Sequence, residues 1–337
     1  MAFGNRVLTT TQTKLVDKLI DGVLTSNVGA TRFMGKAKKW SGRQMEFPIK
    51  YQKNSTFQTF SGFDTFSTSA VETRVKMTFD PKYAQITVAL PLDEVAVNET
   101  DEQRLNLLAI EMQSSSQDMA DSMGNQFYGN GGGTDFDGLG IMVDDGTTSS
   151  TYGGLTRATY PTALNSTVTA SGGTLTLAKM NTMYMAVSEG MQQPTIILTT
   201  KAIFGFYEQL LTPMERINQD VSMVKGGRHF GTGAKTLDYK GRPVLADTKC
   251  TTGVMFMLNE DYIDWYALPM PMTKPASFKS QDIEGNDYSE VPGLGFSWSD
   301  WIKPTNAAAV VSHVYVGGQF INREPRFCGK LTGINSI

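Results

Sequence analysis

Residues 43–90 leave the fewest folding choices. Met45, Phe47, Ile49 and Tyr51 alternate with Gln44, Glu46, Pro48 and Lys50, a two-residue repeat that sets the apolar side chains on one face of a strand. Pro48 has no N–H for a ladder, so this strand belongs at an edge or contains a bulge. The alternation returns at Val75, Met77 and Phe79, and after Asp80-Pro81-Lys82 it continues through Ala84, Ile86, Val88 and Leu90. These segments predict an antiparallel arrangement whose arms are joined by the polar stretch 52–72. That stretch carries Phe57, Phe60, Phe63 and Phe66 at a spacing of three among Ser, Thr and Gly. Withdrawing one Phe from water is worth about 1.5–3 kcal/mol, so four of them on a projecting loop require a surface. It is either the chain's own domain or a neighbouring subunit.

The lead-in, residues 1–42, is polar and mixed. Leu15, Leu19, Ile20 and Val23 fall at helical spacing among Lys14, Asp17, Lys18 and Asp21, which predicts a short amphipathic helix over 13–24. The run Lys36-Ala37-Lys38-Lys39-Trp40 that follows reads as a solvated face with Trp40 as aromatic anchor, or as an arm lying on a neighbouring subunit or a polyanion. Residues 98–128 predict the strongest helix. Thr100 with Gln103 fits a capping box and Asp101 and Glu102 suit the positive end of the dipole. Leu105, Leu108, Met112, Met119, Met123 and Phe127 then share a stripe that ends at Gly129. Such a helix is roughly 40 Å long, a packing rod.

Beyond a Gly-, Thr- and Ser-rich stretch to residue 173, two helices flank a buried strand. The first has Thr176 as cap and Leu177, Met180, Tyr184 and Val187 on one face. The strand is Thr195-Ile196-Ile197-Leu198, and the second helix runs from Thr200 to Leu211. Strands follow at 244–246, 253–258 and 263–268. The end predicts a pair, 309–316 with 319–321, joined by a hairpin turn at Gly317-Gly318.

The chain offers little chemistry. Its 337 residues, 40% hydrophobic, suffice for about two domains with a sizeable core. The net charge of −3 provides no basic field for sequence-specific nucleic-acid or membrane-surface binding. Two cysteines, Cys250 and Cys328, and two histidines, His229 and His313, leave little for metal or redox work. Gly226–Lys235 has the wrong spacing for a phosphate loop. Gly138-Leu139-Gly140 lacks the third glycine and the helix of a dinucleotide fingerprint. The acidic turn at Asp135 and Asp137 is not an EF-hand, no Gly-x-Ser-x-Gly elbow is present, and His313 reads as structural. The expectation is therefore a protein without cofactor, metal or catalytic residues, not an enzyme. With neither a secretory segment nor an apolar run of about 20 residues, it is also expected to be soluble, with both cysteines buried and unpaired in a reducing cytoplasm.

Taken in order, these elements resemble a tailed-bacteriophage major capsid protein of the Hong Kong 97 fold. The residues carrying the resemblance are 44–51 with 74–90 as extended loop, 98–128 as spine helix, and Gly138-Leu139-Gly140-Ile141. To these are added 194–211 in the axial domain and 309–331 as closing strands. The resemblance implies an α+β fold with an N-terminal arm (1–42), an extended β-hairpin loop (43–92) and a peripheral domain (93–173 with 273–337). The axial domain would be 174–272. It further implies a subunit that self-assembles as hexamers and pentamers into an icosahedral shell around double-stranded DNA, found in the virion after assembly in the host cytoplasm. Its partners would be copies of itself, a scaffolding protein (separate or already cleaved away), a portal protein, a maturation protease and a decoration protein. Phe57, Phe60, Phe63, Phe66, Leu15, Leu19 and Trp40 are the expected inter-subunit contacts. Two other readings fit: an encapsulin-type nanocompartment shell of the same fold, and, from the Gly/Thr/Ser content and aromatics, a β-rich adhesin or glycan-active protein.

Overall fold

The computed structural model describes residues 27–66, 68–97, 111, 114–115, 118–119, 121–211, 237–268, 274–275, 295–299 and 301–335. The chain begins with α1 (Val28–Met34), β1 (Lys38–Lys39), β2 (Met45–Lys50), β3 (Arg74–Phe79), β4 (Lys82–Pro91) and α2 (Leu92–Val97). Helix α3 (121–128) follows, then α4 (Leu139–Met142), β5 (Thr151–Tyr152), β6 (Leu155–Thr156), α5 (Pro161–Leu164) and β7 (Thr167–Gly173). Next come α6 (Leu177–Val187), β8 (Ile196–Thr199), α7 (Lys201–Leu211), β9 (Leu237–Tyr239), β10 (Arg242–Ala246) and β11 (Met255–Leu258). The chain closes with β12 (Ile263–Ala267), β13 (Lys274–Pro275), β14 (Phe296–Trp298), β15 (Ala309–Asn322) and β16 (Gly329–Ile334).

Two six-stranded sheets organise this mixed α+β fold. In one, β1, β12, β15, β14 and β13 are neighbours in that order and β4 also pairs with β15; in the other the order is β7-β16-β11-β8-β10-β9. The second sheet explains why β8 and β11 read as unbroken apolar runs. Every residue of both is buried, because both faces of the sheet are covered. Ile196, Leu198, Phe256 and Leu258 join the larger core that also holds Trp265 and Phe320. Ile197, Met255 and Met257 face the smaller core with Met180, Met183, Tyr184 and Val187 of α6 and Ile203 and Tyr207 of α7. Helix α6 starts where the sequence predicts, with the Thr176 side chain accepting from the Lys179 N–H, a cap that satisfies one of the free donors of the first turn.

The closing strands differ from expectation. Gly317-Gly318 is no hairpin turn: β15 runs straight through it for 14 residues. It pairs with β4 over Ala309–Gly318, with β14 over Val314–Val316 and with β12 over Gly318–Asn322. The glycines are there for close approach. A Cβ on Gly318 would strike the Tyr266 carbonyl and come within 2.7 Å of the Trp265 ring, and one on Gly317 would lie 3.0 Å from the Tyr83 ring. Gly318 also has φ of 151°, a region that side chains avoid.

Other boundaries move for similar reasons. Strand β4 leaves the predicted hairpin after Pro81 and spends its full length on β15, so the projecting hairpin consists of β2 and β3 alone. A helix does follow Gly138, but α4 has only four residues. β7 and β16 join β11 and β8 in one sheet, while β12 joins β15 in the other. Only the C-terminal end of the 98–128 helix is continuously described, as α3; its predicted capping box at Thr100 and the helix over 13–24 lie outside the described residues.

Replacing Gly318 by Ala is expected to cost about 2–3 kcal/mol, because the added methyl must displace strand β12 or the Trp265 ring. Thermal unfolding of the protein checks this, and an unchanged midpoint would show that the crossing is not tightly packed.

Candidate inter-subunit surface

The projecting hairpin is built on a firm base. β2 and β3 pair from Met45 opposite Phe79 to Lys50 opposite Arg74, and Pro48 is tolerated because, among the described residues, β2 has no second neighbour. Inward residues Ile49, Met77 and Phe79 are buried, and the Phe47 ring meets those of Phe79 and Tyr266 at 6.2 and 5.5 Å. The tight β5–β6 turn braces β3: Gly153, with φ of 56°, accepts the Thr78 N–H at 2.9 Å. At the top of the hairpin Tyr51 donates its backbone N–H to the Thr73 carbonyl and its hydroxyl to the Glu72 carbonyl. Its ring stands edge-on to Tyr160 at 5.0 Å, and Thr162 donates to its carbonyl. These contacts fix the direction in which the loop leaves the rest of the chain.

Beyond Tyr51 the loop is organised locally. Asn54 accepts from Thr56, the Ser61 N–H reaches Asp64 at 2.8 Å, and Gln58 spans to the Thr65 carbonyl at 3.0 Å. Its phenylalanines are not covered. Phe57, Phe60, Phe63 and Phe66 are 87, 63, 106 and 60% exposed, and the ring pair within the loop is Phe60 on Phe66, edge-on at 5.0 Å. Of the two surfaces open to them from the sequence, the chain's own domain does not receive them.

The remaining expected contacts fare differently. Leu15 and Leu19 lie outside the described residues. Trp40 is placed inside the larger core, 2% exposed, donating its indole N–H to the Gly42 carbonyl. The segment before it is built into the fold and is not a loose arm. Ala30, Phe33 and Met34 of α1 are core residues, β1 adds a parallel edge to β12, Arg32 forms a two-pronged pair with Glu260, and Lys38 reaches Asp264 at 2.8 Å. The cationic run is thus partly spent on internal partners. Sequence reading also missed exposed apolar residues outside the loop: Tyr83, Met185, Met191 and Ile302. Met185 falls off the α6 face defined by Met180, Tyr184 and Val187, a signal available from helical periodicity.

Where the sequence hinted at chemistry, the side chains are engaged structurally. Lys82 donates to the Asp135 carbonyl and sits 3.4 Å from Asp137, putting an ammonium where a cation would bind. Burial raises the Asp137 carboxyl against the pull of Lys82. His313 shares a hydrogen bond with Thr87. Cys250 and Cys328 are buried and unpaired as thiols, and burial pushes Cys328 up to about 11. Among the described residues no cluster of three His, Cys, Asp or Glu is placed to hold a metal ion, and no helix is long and apolar enough to cross a membrane.

The polar centre of the larger core is Asp144, fully buried. Its carboxylate accepts N–H bonds from Gly146, Thr148 and Ser149 and pairs with Lys330 at 3.0 Å. Arg157, also buried, donates to the carbonyls of Asp144, Ile141 and Leu164 and covers the Tyr152 ring. Burial alone would raise the Asp144 carboxyl, but the Ser149 N–H, Lys330 and the Thr148 N–H outweigh it and hold it at about 2. A depressed carboxyl stabilises the fold above its unfolded value near pH 4 and loses that contribution as pH falls through about 2, a difference of about 2–3 kcal/mol. Urea unfolding of the protein from pH 7 to pH 2 is expected to show the gap between wild type and Asp144→Asn shrinking below about pH 4. A gap independent of pH would assign the acid sensitivity elsewhere.

No family model and no curated protein matches this sequence, but its fold is found among solved structures. A subunit of the cyanophage A-1(L) capsid superposes with a TM-score of 0.61 at 16% identity, covering 89% of this chain and 90% of that one. A structure from Mycobacterium phage Patience gives 0.52 at 9% identity over 99% and 87% of the two chains. The holo-SrpI encapsulin complex from Synechococcus elongatus PCC 7942 gives 0.51 at 12% identity over 89% and 85%. The fold is that of tailed-phage capsid subunits, and encapsulin shells share it.

Proposed function

We propose that this chain is a structural subunit that assembles with copies of itself into a closed icosahedral shell, built of hexamers and pentamers, that encloses double-stranded DNA in a tailed-phage virion. The observation that carries the reading is the braced hairpin with four uncovered phenylalanines. A subunit that holds such a loop away from its own body has left about 6–12 kcal/mol of burial to be realised on another copy. The shell fold shared with capsid subunits supports the same reading. Within it, α3 is the end of the spine helix, the sheet with α6 and α7 belongs to the axial domain, and the sheet around β15 belongs to the peripheral domain. Many modest contacts engaged at once supply the avidity of a closed shell. A net charge of −3 suits a wall that must let DNA fill and leave, since dense phosphate contacts would hold it. Scaffolding, portal, maturation protease and decoration proteins are the partners this role calls for, and no catalysis is required of the chain itself.

A second reading rests on the likeness to an encapsulin: the same shell carrying a protein cargo. Purified particles decide between them, nuclease-protected double-stranded DNA after packaging supporting the capsid and a co-purifying enzyme the nanocompartment.

Replacing Phe57, Phe60, Phe63 and Phe66 together by Ser is expected to leave the unassembled subunit within about 1 kcal/mol of wild-type stability, since the rings are already in water. The same variant is expected to abolish particles in electron micrographs and sedimentation. Wild-type-like particles from it would remove the loop from the assembly mechanism.

A further inference from the structure

Resting on the reading of the chain as a shell subunit, we infer that the phenylalanine loop of one copy docks on a methionine patch at the C-terminal end of α6 on the next, formed by Met185 and Met191. Two surfaces with complementary deficits are on the same chain. The loop cannot return to its own body, because β2–β3 pairing and the Tyr51 contacts to Tyr160 and Thr162 hold its exit. Outside the loop, the large apolar residues exposed among the described residues are Tyr83, Met185, Met191 and Ile302. Tyr83 lies over Gly317, and Ile302, 56% exposed, stands singly beside its backbone bridge to Val311. Met191, 98% exposed, caps the turn closed by Glu189 and Gln192, and Met185, 62% exposed, lies on the helical turn just before it.

The chemistry of the pair is specific. Methionine is flexible and polarisable, and its sulfur interacts favourably with aromatic rings, so a two-methionine patch accepts a phenylalanine tip without a preformed pocket. Glu189 beside the patch already has Arg326 at 3.8 Å, so the contact is carried by the apolar surfaces and not by charge. Four rings of this exposure present about 600 Å² of apolar surface, most of the roughly 800 Å² per partner of a standard interface. Because the loop and the patch are different surfaces, the contact is head-to-tail, and repetition around an axis closes a ring.

Cysteine crosslinking of the full-length protein tests this, with Cys250 and Cys328 both buried and so contributing little background. The Phe63→Cys/Met191→Cys double variant, oxidised after assembly, is expected to give a ladder of covalent oligomers, about tenfold more abundant than from either single variant, because docking raises the effective thiol concentration. Particles that form normally but yield no ladder would overturn the docking site while leaving the shell reading intact. A purely intramolecular crosslink would overturn it too, and wild-type protein that never forms particles would remove the shell reading itself and the docking site with it. Should the double variant fail to assemble, wild-type particles decide: peroxide is expected to oxidise Met185 and Met191 at least about tenfold more slowly in particles than in dissociated subunits, by mass spectrometry. Equal rates would exclude the patch from the interface.

Discussion

Strand β15 is the constraint on which the rest of the fold depends. Its fourteen residues pair with β4 over ten positions and with β14 and β12 further along, so the ends of the described chain and its middle share one hydrogen-bonded ladder. Such a strand must pass close under its neighbours, and two consecutive glycines where Tyr83, Trp265 and the backbone of β12 crowd in provide the room.

Around this strand the polar interior is arranged to fix chain segments that hydrophobic burial alone would leave loose. Asp247 accepts from the Gly29 N–H and the Tyr128 hydroxyl, each at 2.9 Å, tying α1 and the end of α3 to the strand that ends at Ala246. Asp144, Lys330 and Arg157 do the same for the irregular stretch between α4 and β7. Asp144 and Lys330 are buried charges paired with each other and with backbone groups, the condition under which such burial is tolerated. Arg157 meets three backbone carbonyls through its terminal nitrogens. The rigidity they confer reaches the hairpin base, where Tyr152, bonded to the backbone of Asn322, packs edge-on against Phe79. The loop therefore projects from a base held by side-chain packing and backbone hydrogen bonds.

Local periodicity made much of this legible. The two-residue repeats found β2, β3 and β4, the 3.6-residue repeats found α6 and α7, and Thr176 marked a helix start that its side chain indeed caps. The errors arose where a local signal has two physical uses. Gly317-Gly318 satisfies the preference of a hairpin turn and equally that of a crowded strand crossing, and only the neighbours of β15 distinguish them. Lys36–Trp40 looks like a solvated run until Asp264 and the core are known to face it.

The sequence by itself determined the alternation, the caps, the scarcity of chemical groups and the presence of four phenylalanines in a polar loop, because these depend on near neighbours along the chain. The tertiary structure alone decided that β4 belongs to β15, that Trp40 turns inward, and that the phenylalanines stay in water. Those outcomes are set by contacts between residues hundreds of positions apart, whose energies no local pattern encodes.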